Sequence, residues 1–135
     1  MAIDYGRKRT GLAVTDELQI IATALTTVET QKLMTFLVDY TGREKVECFV
    51  VGEAKRMDNT PSESAQYIEP FVARLKEKFP TSPVERIDER FTSKIAFQAM
   101  IDGGLKKKQR QNKALIDTVS AVIILQSYMQ KKNNY

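Results

Sequence analysis

The chain has 135 residues, 42% of them hydrophobic and 28% charged, with a net charge of +4; this fits one domain with a substantial core, spanning 1–135, and leaves no room for a second. It contains no histidine and a single cysteine, which excludes Ser-His-Asp and Cys-His nucleophiles, imidazole acid–base catalysis, His-ligated zinc and an internal disulfide. The longest apolar run, Ala121 to Leu125, falls far short of the ~20 residues that span a bilayer, and Asp4 stands where a basic-then-apolar leader would be, so a soluble cytoplasmic protein with no membrane partner is expected.

In chain order, Ala2 to Tyr5 reads as a strand, Gly6 to Gly11 as a glycine-bracketed turn, and Leu12 to Asp16 as the returning strand of a hairpin. Ile20 to Val28, rich in Ile, Thr and Val, predicts a third strand. Gln31 to Tyr40 has helical spacing at Leu33, Phe36, Leu37 and Tyr40, with Thr30 as its cap. Val46 to Val51 is a nearly continuous apolar strand ended by Gly52, the pattern of a strand covered on both faces, and Cys48 within it reads as a core thiol. Thr60-Pro61-Ser62-Glu63 combines a capping box with a first-turn proline, and opens a helix to about Phe79 whose apolar face is Ala65, Ile68, Phe71, Val72, Leu75 and Phe79. Val84 to Glu89 is a fifth strand and Ser93 to Ile101 a helix stopped by Gly103-Gly104. Lys113 to Gln130 is a long helix capped by Asn112, with Leu115, Val119, Val122, Ile123 and Gln126 covering much of its surface. Three meandering strands followed by strand-helix-strand crossovers argue for an α/β domain with a mixed sheet covered on both faces.

The charge is unevenly spread. Residues 1–103 carry 14 basic and 16 acidic side chains, whereas 104–135 carry 7 and 1. Lys106, Lys107, Lys108, Arg110 and Lys113 fall within eight residues, and Arg7-Lys8-Arg9 forms a smaller cluster. Such patches attract polyanions by releasing condensed counterions, although a solvated loop would look the same in isolation.

Acids at three places stand out against this background. Asp4 lies among apolar neighbours on the first strand, where a carboxylate is costly unless something positive meets it, with a turn acid or an Arg7 ion pair as the alternative. Asp88 and Glu89 end the fifth strand, where crossover sheets open into a crevice, or else pair with Arg86 or Arg90. Asp117 is the sole acid after Gly103, inside an apolar helix; Ser120 and Ala121, three and four residues on, are small enough for its face to approach a sheet closely, and a buried contact with Arg9 is the alternative. Three acids from two strands and a helix, with no histidine, are what oxygen-only coordination of Mg²⁺ or Mn²⁺ requires. Two such ions can activate water and stabilise the leaving oxygen of a phosphodiester.

These residues resemble the YqgF family, also called RuvX, whose members share an RNase H-like fold with the RuvC resolvases. The resemblance rests on Ile3-Asp4-Tyr5-Gly6-Arg7-Lys8-Arg9-Thr10-Gly11 with Leu12 to Asp16, on Val50-Val51-Gly52 followed by Met57-Asp58, on Asp88-Glu89-Arg90-Phe91-Thr92, and on Asp117 to Leu125. It implies a five-stranded mixed sheet of order 3-2-1-4-5 and a metal-dependent nuclease maturing the 5′ end of pre-16S rRNA, with ribosomal precursor particles as partners. It further implies Asp4, Glu89 and Asp117 as catalytic and metal-binding, Glu89 being preferred to Asp88 because alternation turns only one of them inward. Asp88 is kept as a secondary metal ligand. The sequence departs from the family at Glu53-Ala54-Lys55-Arg56, where Leu-Pro is common, and at Asn59, where Gly is usual. Glu53 is thereby a further candidate ligand, with a solvent-facing loop acid as the alternative. Arg7, Lys8, Arg9, Arg90, Lys106, Lys107, Lys108, Arg110 and Lys113 are the candidates for holding nucleic-acid phosphates.

Two other readings stand beside it. A Holliday-junction resolvase acting on branched DNA needs two sites and hence a dimer, whereas this sequence suggests a monomer or weak dimer. A non-catalytic RNA- or ribosome-binding factor would use the basic segments alone, and the full set of acids speaks against it.

Overall fold

The computed structural model describes residues 1–16, 18, 21–53, 65–88 and 113–133, of which 113–117 and 133 are described by their backbone alone. The first three strands are β1 (Ala2–Asp4), β2 (Arg9–Thr15) and β3 (Ala22–Glu29). A 3₁₀ turn at Thr30–Lys32 leads into α1 (Leu33–Arg43), followed by β4 (Phe49–Glu53), α2 (Ala65–Lys78), β5 (Val84–Asp88) and α3 (Lys113–Asn133). The sheet order is β3-β2-β1-β4-β5, antiparallel from β3 to β1 and parallel from β1 through β4 to β5. This is the mixed sheet expected from the sequence. β1, short as it is, lies at its centre.

Alternation along the strands builds two cores. Ile3, Leu12, Phe49 and Val51 point to one face and pack under Leu33 and Leu37 of α1 and Ile68, Phe71, Val72 and Leu75 of α2. Ala2, Ala13 and Val50 point to the other and pack under Ala121, Ile124 and Leu125 of α3. The faces expected of α1 and α2 are thus the buried ones. On α3, where the sequence spreads apolar residues over much of the surface, Ser120, Ala121, Ile124 and Leu125 are buried, Val119, Val122 and Ile123 are half-buried, and Gln126 is exposed. Small residues on both sides decide it, because Ala121 against Ala2 and Ala13 lets the helix sit close to the sheet, which larger side chains would hold away.

Several boundaries move for one reason, the pull of the ladder on residues that read locally as breakers. β2 begins at Arg9, so Thr10 and Gly11 belong to a strand and not to the turn: they pair with Val28 and Thr27. Gly52 does not end β4 but pairs with Ile87, and Glu53 continues the strand opposite Asp88. β3 contains a bulge, since Leu12 pairs with Thr26 and Ala13 with Ala24, leaving Leu25 as the extra residue. Thr30 does not cap α1 with its side chain. Its hydroxyl donates to the Gly6 carbonyl at 2.5 Å and meets the buried Thr10 hydroxyl at 2.9 Å, while its N–H donates to the Lys8 carbonyl at 3.0 Å. These bonds tie the β1–β2 turn to the end of β3, and in that turn a Cβ on Gly6 would lie 2.3 Å from the Arg9 carbonyl oxygen.

Cys48 is half-buried beside the α3 core, as expected, with its thiol directed at the Phe49 carbonyl and the Tyr128 hydroxyl. The capping box at 60–63, the helix at 93–101 and the Asn112 cap lie outside the described residues.

Candidate active site

Parallel β1, β4 and β5 end on the same side of the sheet, the side where crossover folds gather functional groups. Asp4 is the last residue of β1 and is half-buried. It pairs with Gly11 of β2, which in turn pairs with Thr27 of β3. One step beyond the Ile3–Val51 pair, Gly52 of β4 falls beside Asp4 on the other side, and Gly52 pairs with Ile87. A single row across the sheet therefore reads Thr27, Gly11, Asp4, Gly52, Ile87.

This row faces α3. Ala2, two residues before Asp4 and hence on the same face, packs against Ala121, Ile124 and Leu125. Thr27 shares a hydrogen bond with the Thr118 hydroxyl of α3, and Thr118 follows Asp117 directly. The Asp4 carboxylate thus stands between two residues without side chains. With strands about 4.8 Å apart, Asp4 and Thr27 are separated by about 10 Å across the sheet, with only the Gly11 backbone between them. Side chains at either neighbouring position would crowd the carboxylate, and glycine supplies none.

Glu53 and Asp88 pair with each other, on the opposite face. Val51, two residues before Glu53, belongs to the α1–α2 core, and Arg86, two before Asp88, reaches Glu69 of α2. The structure therefore does not bring these two acids together with Asp4. Arg86 has another role: its guanidinium holds both Glu69 oxygens at 2.8 and 2.9 Å and donates to the Val51 and Gly52 carbonyls at 3.2 and 3.3 Å. That hydrogen bonding holds the Glu69 carboxyl below its usual pKa.

Glu89, Arg90, Lys106, Lys107, Lys108 and Arg110 lie outside the described residues. Asp117 and Lys113 are described by their helical backbone in the first turns of α3. Arg7 and Lys8 are exposed in the β1–β2 turn and Arg9 is half-buried at the start of β2. The Arg7 guanidinium sits 4.5 Å above the Tyr67 ring of α2, a cation–π contact that fixes it beside the sheet end. Among the described residues no three metal-ligating acids converge; of Asp4, Glu89 and Asp117 they include Asp4 with its side chain.

Sequence reasoning reached Asp4 through its cost of burial, but read its two neighbours as punctuation. Gly11 and Gly52 would have been found by asking which residues the expected strand order puts beside Asp4. Thr27 and Thr118 carried no local signal, because both look like ordinary strand and helix residues until a long-range contact joins them.

A family model described as RuvX: Holliday junction resolvase matches residues 1–131. The chain belongs to the RuvX family. Among curated RuvX relatives, a protein of Flavobacterium psychrophilum is 58% identical over 132 residues, covering 98% of this chain and 96% of its own length. One from Christiangramia forsetii is 60% identical over 129 residues, 96% of each chain. Another, from Phocaeicola vulgatus, is 60% identical over 132 residues, 98% of this chain and 95% of its own. All three carry the name "Putative pre-16S rRNA nuclease". The RNase H-like architecture implied by the sequence motifs is the one this RuvX chain adopts. No helix among the described residues is long and apolar enough to cross a membrane.

Proposed function

We propose that this RuvX chain is a metal-dependent nuclease that hydrolyses RNA phosphodiester bonds, acting in 5′-end maturation of pre-16S rRNA on ribosomal precursor particles. The names of relatives that match over nearly the whole chain support the substrate. The observation that carries the chemistry is the row Thr27, Gly11, Asp4, Gly52: a half-buried carboxylate at the carboxyl end of the central strand, with glycine on both sides and Asp117 on the helix that crosses the same face.

Asp4, Asp117 and Glu89 would hold Mg²⁺ or Mn²⁺. The donor set fits such hard cations, since the chain has no imidazole and the carboxylate on the row is bordered by open backbone. Bound there, the ion would supply an activated water and charge neutralisation at the phosphate. Glu89 is preferred to Asp88 because Asp88 falls on the face of Arg86 and Glu69. The protein's own part is to hold Asp4 still on a paired strand, to leave the strip over Gly11 and Gly52 clear, and to fix α3 against β3 through Thr27 and Thr118. Arg7, Lys8 and Arg9 lie at the same end of the sheet and would draw the phosphate backbone in.

A second reading, cleavage of four-way DNA junctions, is favoured by the description of the family model. Both are tested by incubating end-labelled single-stranded RNA and a four-way junction with the wild type and Asp4→Asn, in Mn²⁺ or EDTA. Metal-dependent RNA cutting that Asp4→Asn abolishes is the expected result. Symmetric junction cleavage would put the resolvase reading first. RNA binding without cutting of either substrate would sink both and leave a binding factor.

A further inference from the structure

A cleft of about 360 Å³ opens on the α1–α2 face of the sheet, at the end where β1 terminates. Tyr5, Arg7, Thr30, Gln31, Phe71 and Arg74 line it, with no acidic residue among the described residues of its walls. Tyr5 directly follows Asp4, so alternation turns the two side chains to opposite faces of one strand end, Asp4 toward α3 and Tyr5 into this cleft. The cleft and the carboxylate row are therefore adjacent across the edge formed by the end of β1.

The walls are prepared for a phosphate carrying a planar group. Arg7 and Arg74 face the cleft from the turn and from α2. Among the described residues neither is paired with a carboxylate, and Arg7 is held by its contact with the Tyr67 ring, leaving its hydrogen-bond donors available. Guanidinium groups meet phosphate oxygens two at a time, which fixes orientation as well as charge. The Tyr5 ring is stacked on Phe71 with centroids 4.6 Å apart and an interplanar angle of 21°, a rigid wall for a base or sugar. Thr30 is locked in place through its bonds to Gly6, Thr10 and Lys8.

We propose that this cleft is a subsite for single-stranded RNA: it binds the nucleotide next to the scissile phosphate, with Arg7 and Arg74 on its phosphate and Tyr5 against its base or sugar. The inference rests on the nuclease reading for the word scissile, but not for binding itself. A strand crossing the end of β1 would present one phosphate to Asp4 and the next to the arginines. Only a chain free of a pairing partner can turn across that edge, so the subsite selects single strands over duplexes.

The test is fluorescence-anisotropy binding of a labelled 12-nucleotide single-stranded RNA, and of the same sequence as a duplex, in EDTA so that nothing is cut. The wild type is compared with Arg7→Ala, Arg74→Ala, Arg74→Lys and, as a remote loss of charge, Lys131→Ala, with melting temperatures taken for each. Arg74→Ala and Arg7→Ala are expected to weaken single-strand binding by about tenfold and to reduce the slope of log affinity against log salt by about 0.7 each, the value for one phosphate contact on a single strand. Arg74→Lys should keep the slope and lose part of the affinity. Unchanged affinity and slope in Arg74→Ala, an equal loss in Lys131→Ala, or equal binding of duplex and single strand would overturn the subsite. Arg74-dependent binding by a wild type that never cuts RNA in Mn²⁺ would remove the nuclease reading and leave the subsite standing; cutting with Arg74-independent affinity would do the reverse.

Discussion

The hydroxyl of Thr118 on α3 shares a hydrogen bond with the hydroxyl of Thr27 on β3, joining residues 91 apart in sequence. Thr27 stands on the same row of the sheet as Asp4, and Thr118 follows Asp117, so this one contact sets the register between the helix that carries Asp117 and the strand row that carries Asp4. Replacing either threonine by valine keeps the shape and removes the bond between them. Each single change should cost about 1 kcal/mol, lowering the melting temperature by roughly 4 °C. The double variant should cost less than the two singles added, because either single change already removes the shared bond. A double-mutant cycle by thermal denaturation measures the difference; strict additivity would mean that the bond does not couple the two elements.

Gly11 and Gly52 border Asp4 on both sides, and side chains there would project over the same face as the carboxylate. Gly52→Val and Gly11→Val should therefore reduce metal-dependent RNA cleavage by at least about tenfold, the cost of displacing a reacting group by a fraction of an ångström. Metal-independent RNA binding should hold within about twofold, since the phosphate contacts lie elsewhere. Rates and anisotropy on the same preparations separate the two, and equal losses in both would point to general unfolding instead.

Arg86 links three elements, holding Glu69 of α2 while donating to two carbonyls of β4. Arg86→Met should cost about 1–2 kcal/mol, because it strands acceptors as well as removing an ion pair. Glu69→Gln should cost only about 0.5 kcal/mol, as Glu69 is half exposed and solvent screens the pair. The carboxyl of Glu69 is held low in the folded chain, so its contribution is present above the unfolded value near 4.5 and is lost as pH falls through the lower folded value. Denaturation from pH 6 down to pH 3 should thus narrow the gap between wild type and Glu69→Gln.

Gly6 approaches the Arg9 carbonyl so closely that an added Cβ would sit 2.3 Å from it. Backbone atoms would have to move, and with them the turn that Thr30 anchors. Gly6→Ala should destabilise by about 1–3 kcal/mol, and it should also weaken RNA binding through Arg7, which the turn carries. Chemical denaturation and anisotropy would check both effects; a variant as stable as wild type would mean the turn has slack.

How much of this was legible beforehand depends on whether a feature is local. The faces of α1 and α2 follow from spacing alone, because helical periodicity places Leu33, Leu37, Ile68, Phe71, Val72 and Leu75 on single stripes. Strand ends at Gly11 and Gly52 were misjudged because glycine's local preference for turns is weaker than the pairing that each gains inside the sheet. Asp4 was legible as a charge in an apolar strand. Its surroundings were not, since they are made by three other segments distant in sequence, and spacing does not single out the covered side of α3 because an alanine, not a large residue, lies at its centre.

Ala121 is fully buried where α3 crosses the sheet, in the same cluster as Ala2, Ala13 and Val50. Three of these four are alanines, so the close approach depends on the absence of bulk on both sides. Ala121→Leu would push the helix outward at the turn directly after Thr118, and overpacking of this kind costs about 1–3 kcal/mol. Its effect on catalysis should exceed that on stability, because a shift of about 1 Å in α3 moves Asp117 relative to Asp4 and can cost about 10²-fold in rate. Ala121→Gly, which keeps the approach but weakens the helix by about 1 kcal/mol, should lose comparable stability while retaining most of the cleavage. Cleavage rates normalised to the folded fraction, taken from melting curves of both variants, distinguish a positional effect from a loss of fold: similar activities in the two would show that the spacing of helix and sheet does not govern the site.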